Sequence, residues 1–188
     1  MVTGIIMAAG FSKRMGEDKL LMEIDGVKMV ERVICNCKNS LLDQVILVYR
    51  KKEIKEIGEM YNLNTIYNPK ANLGQSESMK LGVQAASVKS AYMFLTGDQP
   101  FITSNLINLL IEEHNKSQDK IIVPYYNGRR GMPTIFPSFF KERLLDIEGD
   151  KGGRDIIKNN IHYVKKVIIE DEKLGLDIDN KEDFFTFK

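Results

Sequence analysis

Four short runs in this chain, 4–8, 45–49, 92–95 and 121–123, are apolar at both odd and even positions. A strand with one wet face alternates polar and apolar residues, so runs like these suit strands covered by helices on both sides of a parallel sheet. Between them lie segments with helical spacing. Met29, Val30, Val33, Ile34 and Cys37 form one apolar stripe, Met79, Val83 and Ala86 a second, and Leu106, Leu109, Leu110 and Glu113 a third, less pure one. Alternating strands and helices predict a three-layer α/β sandwich with right-handed crossovers. Further along, 132–136 and 164–169 read as strands, Pro137 opens a helix, and 180–187 forms a short closing helix. With no linker, repeat or low-complexity tract, residues 1–188 are expected to form a single domain.

Lys plus Arg number 27 and Asp plus Glu 26, a net charge of +1. That balance argues against broad electrostatic binding to nucleic acid or to an anionic membrane. Cys35 and Cys37 sit two apart on a helix and point in different directions, so no disulfide is expected between them. His114 and His162 lie too far away to complete a zinc spacing. The N-terminal apolar run is short and has no basic leader, so neither a signal peptide nor a membrane anchor is read there, and a cytoplasmic location is expected.

After the first strand comes Ala8-Ala9-Gly10-Phe11-Ser12-Lys13-Arg14-Met15-Gly16, with Lys19 close behind. Small residues at 8–10 let backbone approach a ligand, successive N–H groups in such a turn can hold an anion, and Arg14 and Lys19 add cations suited to a triphosphate. The glycines fit neither G-x-G-x-x-G nor a P-loop. Composition alone equally allows a solvated basic loop. The segment Gly74-Gln75-Ser76-Glu77-Ser78 precedes the second helix. Ser76 reads as its N-cap, which leaves Gln75 and Ser78 free to bond a base edge and Gly74 to allow close approach. In Thr96-Gly97-Asp98-Gln99-Pro100, Thr103 is the better cap for the next helix, so Asp98 has no obvious local structural task. A carboxylate at the carboxyl end of a strand, facing phosphates, is how α/β nucleotide enzymes hold magnesium. Near the C-terminus, Asp177 and Asp179 share a strand face by their spacing, while Asp179 or Asn180 also reads as a helix cap.

Ala-Ala-Gly-x-Ser-x-Arg-Met-Gly followed by Lys, Gly-Gln-Ser-x-Ser, Gly-Asp-x-Pro, Gly-x-x-Gly-x-Pro at 128–133 and Gly-Asp-x-Gly-x-Arg at 149–154 occur in this order across nearly the whole chain. Together they resemble the nucleotidyltransferase family that includes the molybdenum cofactor cytidylyltransferases and guanylyltransferases. The resemblance implies a Rossmann-like, mostly parallel sheet of the nucleotidyltransferase type and dependence on magnesium. It implies nucleotide binding by Ala8, Ala9, Gly10, Ser12, Gly74, Gln75 and Ser78, catalysis by Arg14, Lys19 and Asp98, and metal ligation by Asp98 with Asp177 or Asp179. Arg130 and Arg154 are implied on the acceptor side, where solvated surface charge is the competing reading. Met132 stands where many relatives carry His, and Asn180-Lys181 replaces the family's Thr-Pro. Ala8-Ala9-Gly10 resembles the cytidylyl version of the loop, the guanylyl members usually having Ala-Gly-Gly.

The implied reaction is attack by the phosphate of molybdopterin on the α-phosphorus of CTP, with loss of pyrophosphate. A phosphate monoester is already anionic near neutral pH, so positioning and charge neutralisation matter more than a general base. Alternatives are GTP-dependent guanylyl transfer to the same cofactor and cytidylyl transfer to another small phosphate acceptor, such as a sugar-alcohol phosphate. A non-catalytic carrier that delivers the cofactor to a molybdenum hydroxylase client is the alternative from outside enzymology.

Overall fold

The structure is a computed structural model that describes residues 1–11 and 18–186. Its strands are β1 (Val2–Ala8), β2 (Glu23–Ile24), β3 (Val27–Lys28), β4 (Gln44–Tyr49), β5 (Asn64–Tyr67), β6 (Ala91–Thr96), β7 (Ile121–Tyr126), β8 (Arg129–Arg130), β9 (Thr134–Phe136) and β10 (Val164–Ile169). Its helices are α1 (Met29–Lys38), α2 (Lys52–Met60), α3 (Gln75–Ala85), α4 (Ser104–Lys116), α5 (Lys141–Leu145), α6 (Arg154–Asn159) and α7 (Lys181–Thr186).

The main sheet runs β10-β7-β9-β6-β1-β4-β5, with β8 paired to β7. β5, β4, β1 and β6 are mutually parallel, as are β7 and β10, while β9 lies antiparallel between β6 and β7. β1 is buried at every position, and its alternation divides the interior. Val2 and Ile6 join one cluster with Val33, Ile34, Ile54, Leu106 and Leu110 of α1, α2 and α4. Ile5 and Met7 join the other with Met79, Val83, Leu144, Ile156 and Ile157 of α3, α5 and α6. Two helical layers therefore sandwich one sheet, the mostly parallel α/β architecture expected.

The chain winds from β1 outward to β4 and β5, then returns to place β6 on the other flank of β1. This reversal makes a crevice beyond the carboxyl ends of β1 and β6, where ligands of open α/β sheets bind. Ala8-Ala9-Gly10 and Thr96-Gly97-Asp98 end those two strands.

Some details differ from the sequence reading. β5 has no fully buried residue and α2 is built around Ile54 and Ile57, signals too sparse to stand out from periodicity. The third apolar stripe is offset: α4 buries Leu106, Ile107, Leu110, Ile111 and His114, while Leu109 is exposed. β9 begins at Thr134 rather than at residue 132, after a cis Met132–Pro133 peptide. Pro137 leads into a 3-10 turn at Ser138–Phe140, and α5 starts only at Lys141. Residues 176–179 are not a strand. Cys35 and Cys37 are free thiols.

Candidate active site

At the crevice lies a cleft of about 340 Å³, lined by the loop after β1 (Ala9, Gly10, Phe11), by Lys19, by Gly74, Gln75 and Ser78 around the start of α3, and by Thr96 and Asp98. That volume is at the small end of the range for ligand pockets. Three of the motifs separated in sequence, joined by Asp150 from a fourth, thus face one space.

Asp98 follows the turn at the end of β6. The Lys19 ammonium reaches across to it, Nζ to Oδ2 2.7 Å, and also to Asp179 Oδ1 at 2.9 Å. Lys19 is placed by a 3-10 turn, Lys19–Leu21, capped by Asp18, whose side chain accepts from the Leu20 N–H. Leu20 anchors the turn in the core. Burial opposes the charge on Lys19, but the field and hydrogen bonds of Asp98, joined by those of Asp179, outweigh it and hold its pKa above the ordinary value.

The C-terminal segment is brought beside Asp98 by its backbone: the Ile178 N–H donates to the Asp98 carbonyl at 3.1 Å. Ile178 is buried with Ile24, Met29 and Phe184, so the hairpin β2–β3 and α7 together pin this strap over the site. Asp177 and Asp179 flank Ile178 and act on one another electrostatically, but the strand face expected to align them is absent, because residues 176–179 are not a strand. Of the two cap candidates, Asn180 takes the role: its Oδ1 accepts from the Asp183 N–H at 2.8 Å. Asp183 returns the bond to the N–H groups of Asp179 and Asn180, a capping box that leaves the Asp179 carboxylate to Lys19. Asp177 keeps surface open to solvent and does not itself line the cleft, yet protein surrounds it closely. Desolvation, then the charges of Asp98 and Asp179, push its carboxyl up to about 7.

Ser76 does not cap α3. The helix begins one residue earlier, at Gln75, with Gly74 at the cap position in a left-handed conformation, φ +112°. The Gln75 N–H is met instead by Asp150 Oδ1 at 3.2 Å, from a segment 75 residues away. A Cβ on Gly74 would collide with the Gly149 carbonyl group, so only glycine fits this crossing of backbones. Residues 149–153, read as acceptor-side, thereby brace the start of α3. Arg154 at the first position of α6 and Arg130 on β8 are exposed, and neither lines the cleft. Ser12 and Arg14 lie outside the described residues.

Sequence reasoning assigned no role to Asp150, Thr96 or Asn68. Asn68-Pro69 is a turn signal, and its side chain does close a turn by accepting from the Lys70 N–H, but its bond to Ser78 is a long-range contact that a local pattern does not carry. Among the described residues, no group of three His, Cys, Asp or Glu forms a ready metal cage. Asp98 Oδ1 is nevertheless buried without a hydrogen-bond partner among them, as is Thr96 Oγ1. A buried carboxylate oxygen left open calls for a cation or donor that arrives with a ligand.

A Rossmann-like α/β sheet with a cation-and-carboxylate cleft at its switch point defines a nucleotide-handling enzyme of the nucleotidyltransferase type. The chain belongs to the MobA-like NTP transferase family, whose model matches residues 4–166. It is 32% identical to the molybdenum cofactor cytidylyltransferase of Escherichia coli (strain K12), across 98% of this chain and 94% of that one. It is 30% identical to a probable molybdenum cofactor guanylyltransferase of Natranaerobius thermophilus, over 68% of this chain and 62% of that protein. The crystal structure of Rv0371c from Mycobacterium tuberculosis superposes with a TM-score of 0.84 at 19% identity, covering 98% of this chain and 96% of that one, a likeness of fold. No described helix is long and apolar enough to cross a membrane.

Proposed function

We propose that this chain transfers CMP from CTP to the phosphate of molybdopterin and releases pyrophosphate. The observation that carries this reading is the Lys19–Asp98 pair at the rim of the sheet, with one Asp98 oxygen buried and without a hydrogen-bond partner among the described residues, in a cleft that Ala9 and Gly10 of the small-residue loop also line. The choice of CTP rests on Ala8-Ala9-Gly10 and on the near full-length similarity to a cytidylyltransferase. The shorter match to a probable guanylyltransferase keeps GTP as the second reading.

The residues present suit magnesium, which commonly takes one or two carboxylates together with substrate phosphates and water. Asp98 would hold it, with Asp177 or Asp179 as the second carboxylate, once Lys19 gives up its contacts with Asp98 and Asp179. When bound, the ion supplies neutralisation of charge on the phosphate oxygens. The protein's own part is positional. The backbone at 8–10 admits the nucleotide, Gln75 and Ser78 face its base, and Lys19 places a fixed ammonium near the charge that develops as pyrophosphate departs. Arg14 is proposed to share that charge. With an anionic acceptor as nucleophile, the site needs no histidine base, and neither His114 nor His162 lines the cleft. Such a reaction suits the cytoplasm, where CTP is made.

A pyrophosphate-release assay with molybdopterin, comparing CTP and GTP, tests the reading. Turnover with CTP well above GTP is expected. Preference for GTP overturns the base assignment. Binding of molybdopterin without turnover of either nucleotide would favour the carrier function and a hydroxylase client.

A further inference from the structure

Asn68 and Ser78 are both buried, at 1% and 5% exposure, and are joined by a hydrogen bond of 2.9 Å from Asn68 Nδ2 to Ser78 Oγ. The orientation of the Asn68 amide is fixed by its other end. Oδ1 accepts from the Lys70 N–H at 2.9 Å, so the nitrogen must face Ser78. The backbone of Asn68 is held as well, its N–H donating to the Tyr49 carbonyl at 2.8 Å. Asn68 can therefore only donate to Ser78. The hydroxyl oxygen accepts on that side with one of its two lone pairs, so its proton is turned away from Asn68 and left to be donated elsewhere. Among the described residues, Ser78 makes no other side-chain hydrogen bond, and it lines the cleft.

Resting on the nucleotide reading above, we infer that Asn68 is a positioning residue that turns the Ser78 proton away from itself and toward a carbonyl oxygen of the bound base. In cytosine that oxygen is O2, and in guanine O6. The inference thus names the atom read rather than the base, and it holds for either nucleotide. A general structural asparagine would support α3 without setting the polarity of the serine. The two roles diverge when the carbonyl oxygen is replaced by sulfur, a much weaker acceptor, with the rest of the nucleotide unchanged.

The test is calorimetric binding, without acceptor, of CTP against 2-thio-CTP and of GTP against 6-thio-GTP, in magnesium. Wild-type protein, Asn68→Asp and Ser78→Ala are compared. In the better-bound pair, wild type is expected to bind the oxo form about 10- to 100-fold more tightly, the worth of one buried hydrogen bond. Asn68→Asp is isosteric and still accepts from Lys70, but it demands the Ser78 proton. In it, and in Ser78→Ala, the oxo preference should fall toward one while thermal unfolding remains cooperative. If Asn68→Asp does not fold, Asn68→Ala, which releases the serine, should lower the preference as well. An unchanged oxo preference in the Asn68 variant overturns the inference, as does a wild type indifferent to sulfur. Binding with the expected preference, but no turnover with molybdopterin, would sink only the proposed reaction. A wild type that binds neither CTP nor GTP would sink both.

Discussion

Lys19 Nζ lies 2.7 Å from Asp98 Oδ2, joining two residues 79 positions apart in the chain at the point where β1 and β6 diverge. With Asp177 and Asp179 beside them, the site gathers three carboxylates around one lysine among its described residues. Among the described residues, Lys19 is the charge that makes this cluster tolerable.

Lys19→Ala should therefore lower stability as well as activity. Lys19 is only 12% exposed, and its removal leaves carboxylates facing one another. In metal-free buffer the expected loss is about 1–3 kcal/mol, or a fall in Tm of roughly 2–4 °C per kcal/mol for a chain of this size. Added magnesium should restore part of it by replacing the lost positive charge. Thermal denaturation with and without magnesium measures both, and a magnesium-independent Tm would contradict this account of the cluster.

Asp98→Ala is expected to reduce turnover by about 10³-fold or more while leaving the fold intact. Its Oδ1 has no described structural partner, and its neighbours on β6 are fixed by sheet pairing rather than by this side chain. Circular dichroism checks the fold, and pyrophosphate release checks the chemistry. Turnover resembling wild type would remove Asp98 from the mechanism.

The legibility of the sequence followed the range of the interactions. β1, β4, β6 and β7 were visible because burial on both faces forces runs of consecutive apolar residues, and Thr103 was visible as a cap because its partner, the Leu106 N–H, is three residues away. The cap of α3 was not. Ser76 has the right chemistry in the right place, but the donor is met by Asp150, a contact visible only after folding. Asp98 was legible by elimination, since a polar residue without local work invites a distant partner. Asp179 was ambiguous because either of two adjacent residues could satisfy the same N–H groups.

Gly74→Ala should be among the more damaging single-methyl additions available. The position needs φ +112°, and the new carbon would meet the Gly149 carbonyl. Backbone strain alone costs about 1–3 kcal/mol, and relief by moving residues 149–150 would break the Asp150 cap on α3. Destabilisation of about 2–4 kcal/mol, together with weakened nucleotide binding, is the expected outcome in denaturant titration and calorimetry. A neutral substitution would mean that the two backbones do not cross as tightly as this.

The Asp177 carboxyl, pushed up to about 7 from an ordinary value of 3.8, gives a pH signature whose sign is opposite to that of a salt-bridged aspartate. Between those two pH values the folded protein holds a proton on Asp177 that the unfolded chain has already released. Stability from this group is therefore fully present below about pH 4 and is lost as pH rises toward 7. Asp177→Asn removes the titration and keeps the shape, so in chelator its Tm should gain on wild type steadily across pH 4–7 and run parallel to it above. Groups shared by the two proteins cancel in that difference. A divalent cation must displace the same proton, so its affinity for wild type should climb through pH 7, and the climb should be shallower in Asp177→Asn. Equal Tm differences at pH 4 and pH 7 would show that burial and the charges of Asp98 and Asp179 do not act on Asp177 as described.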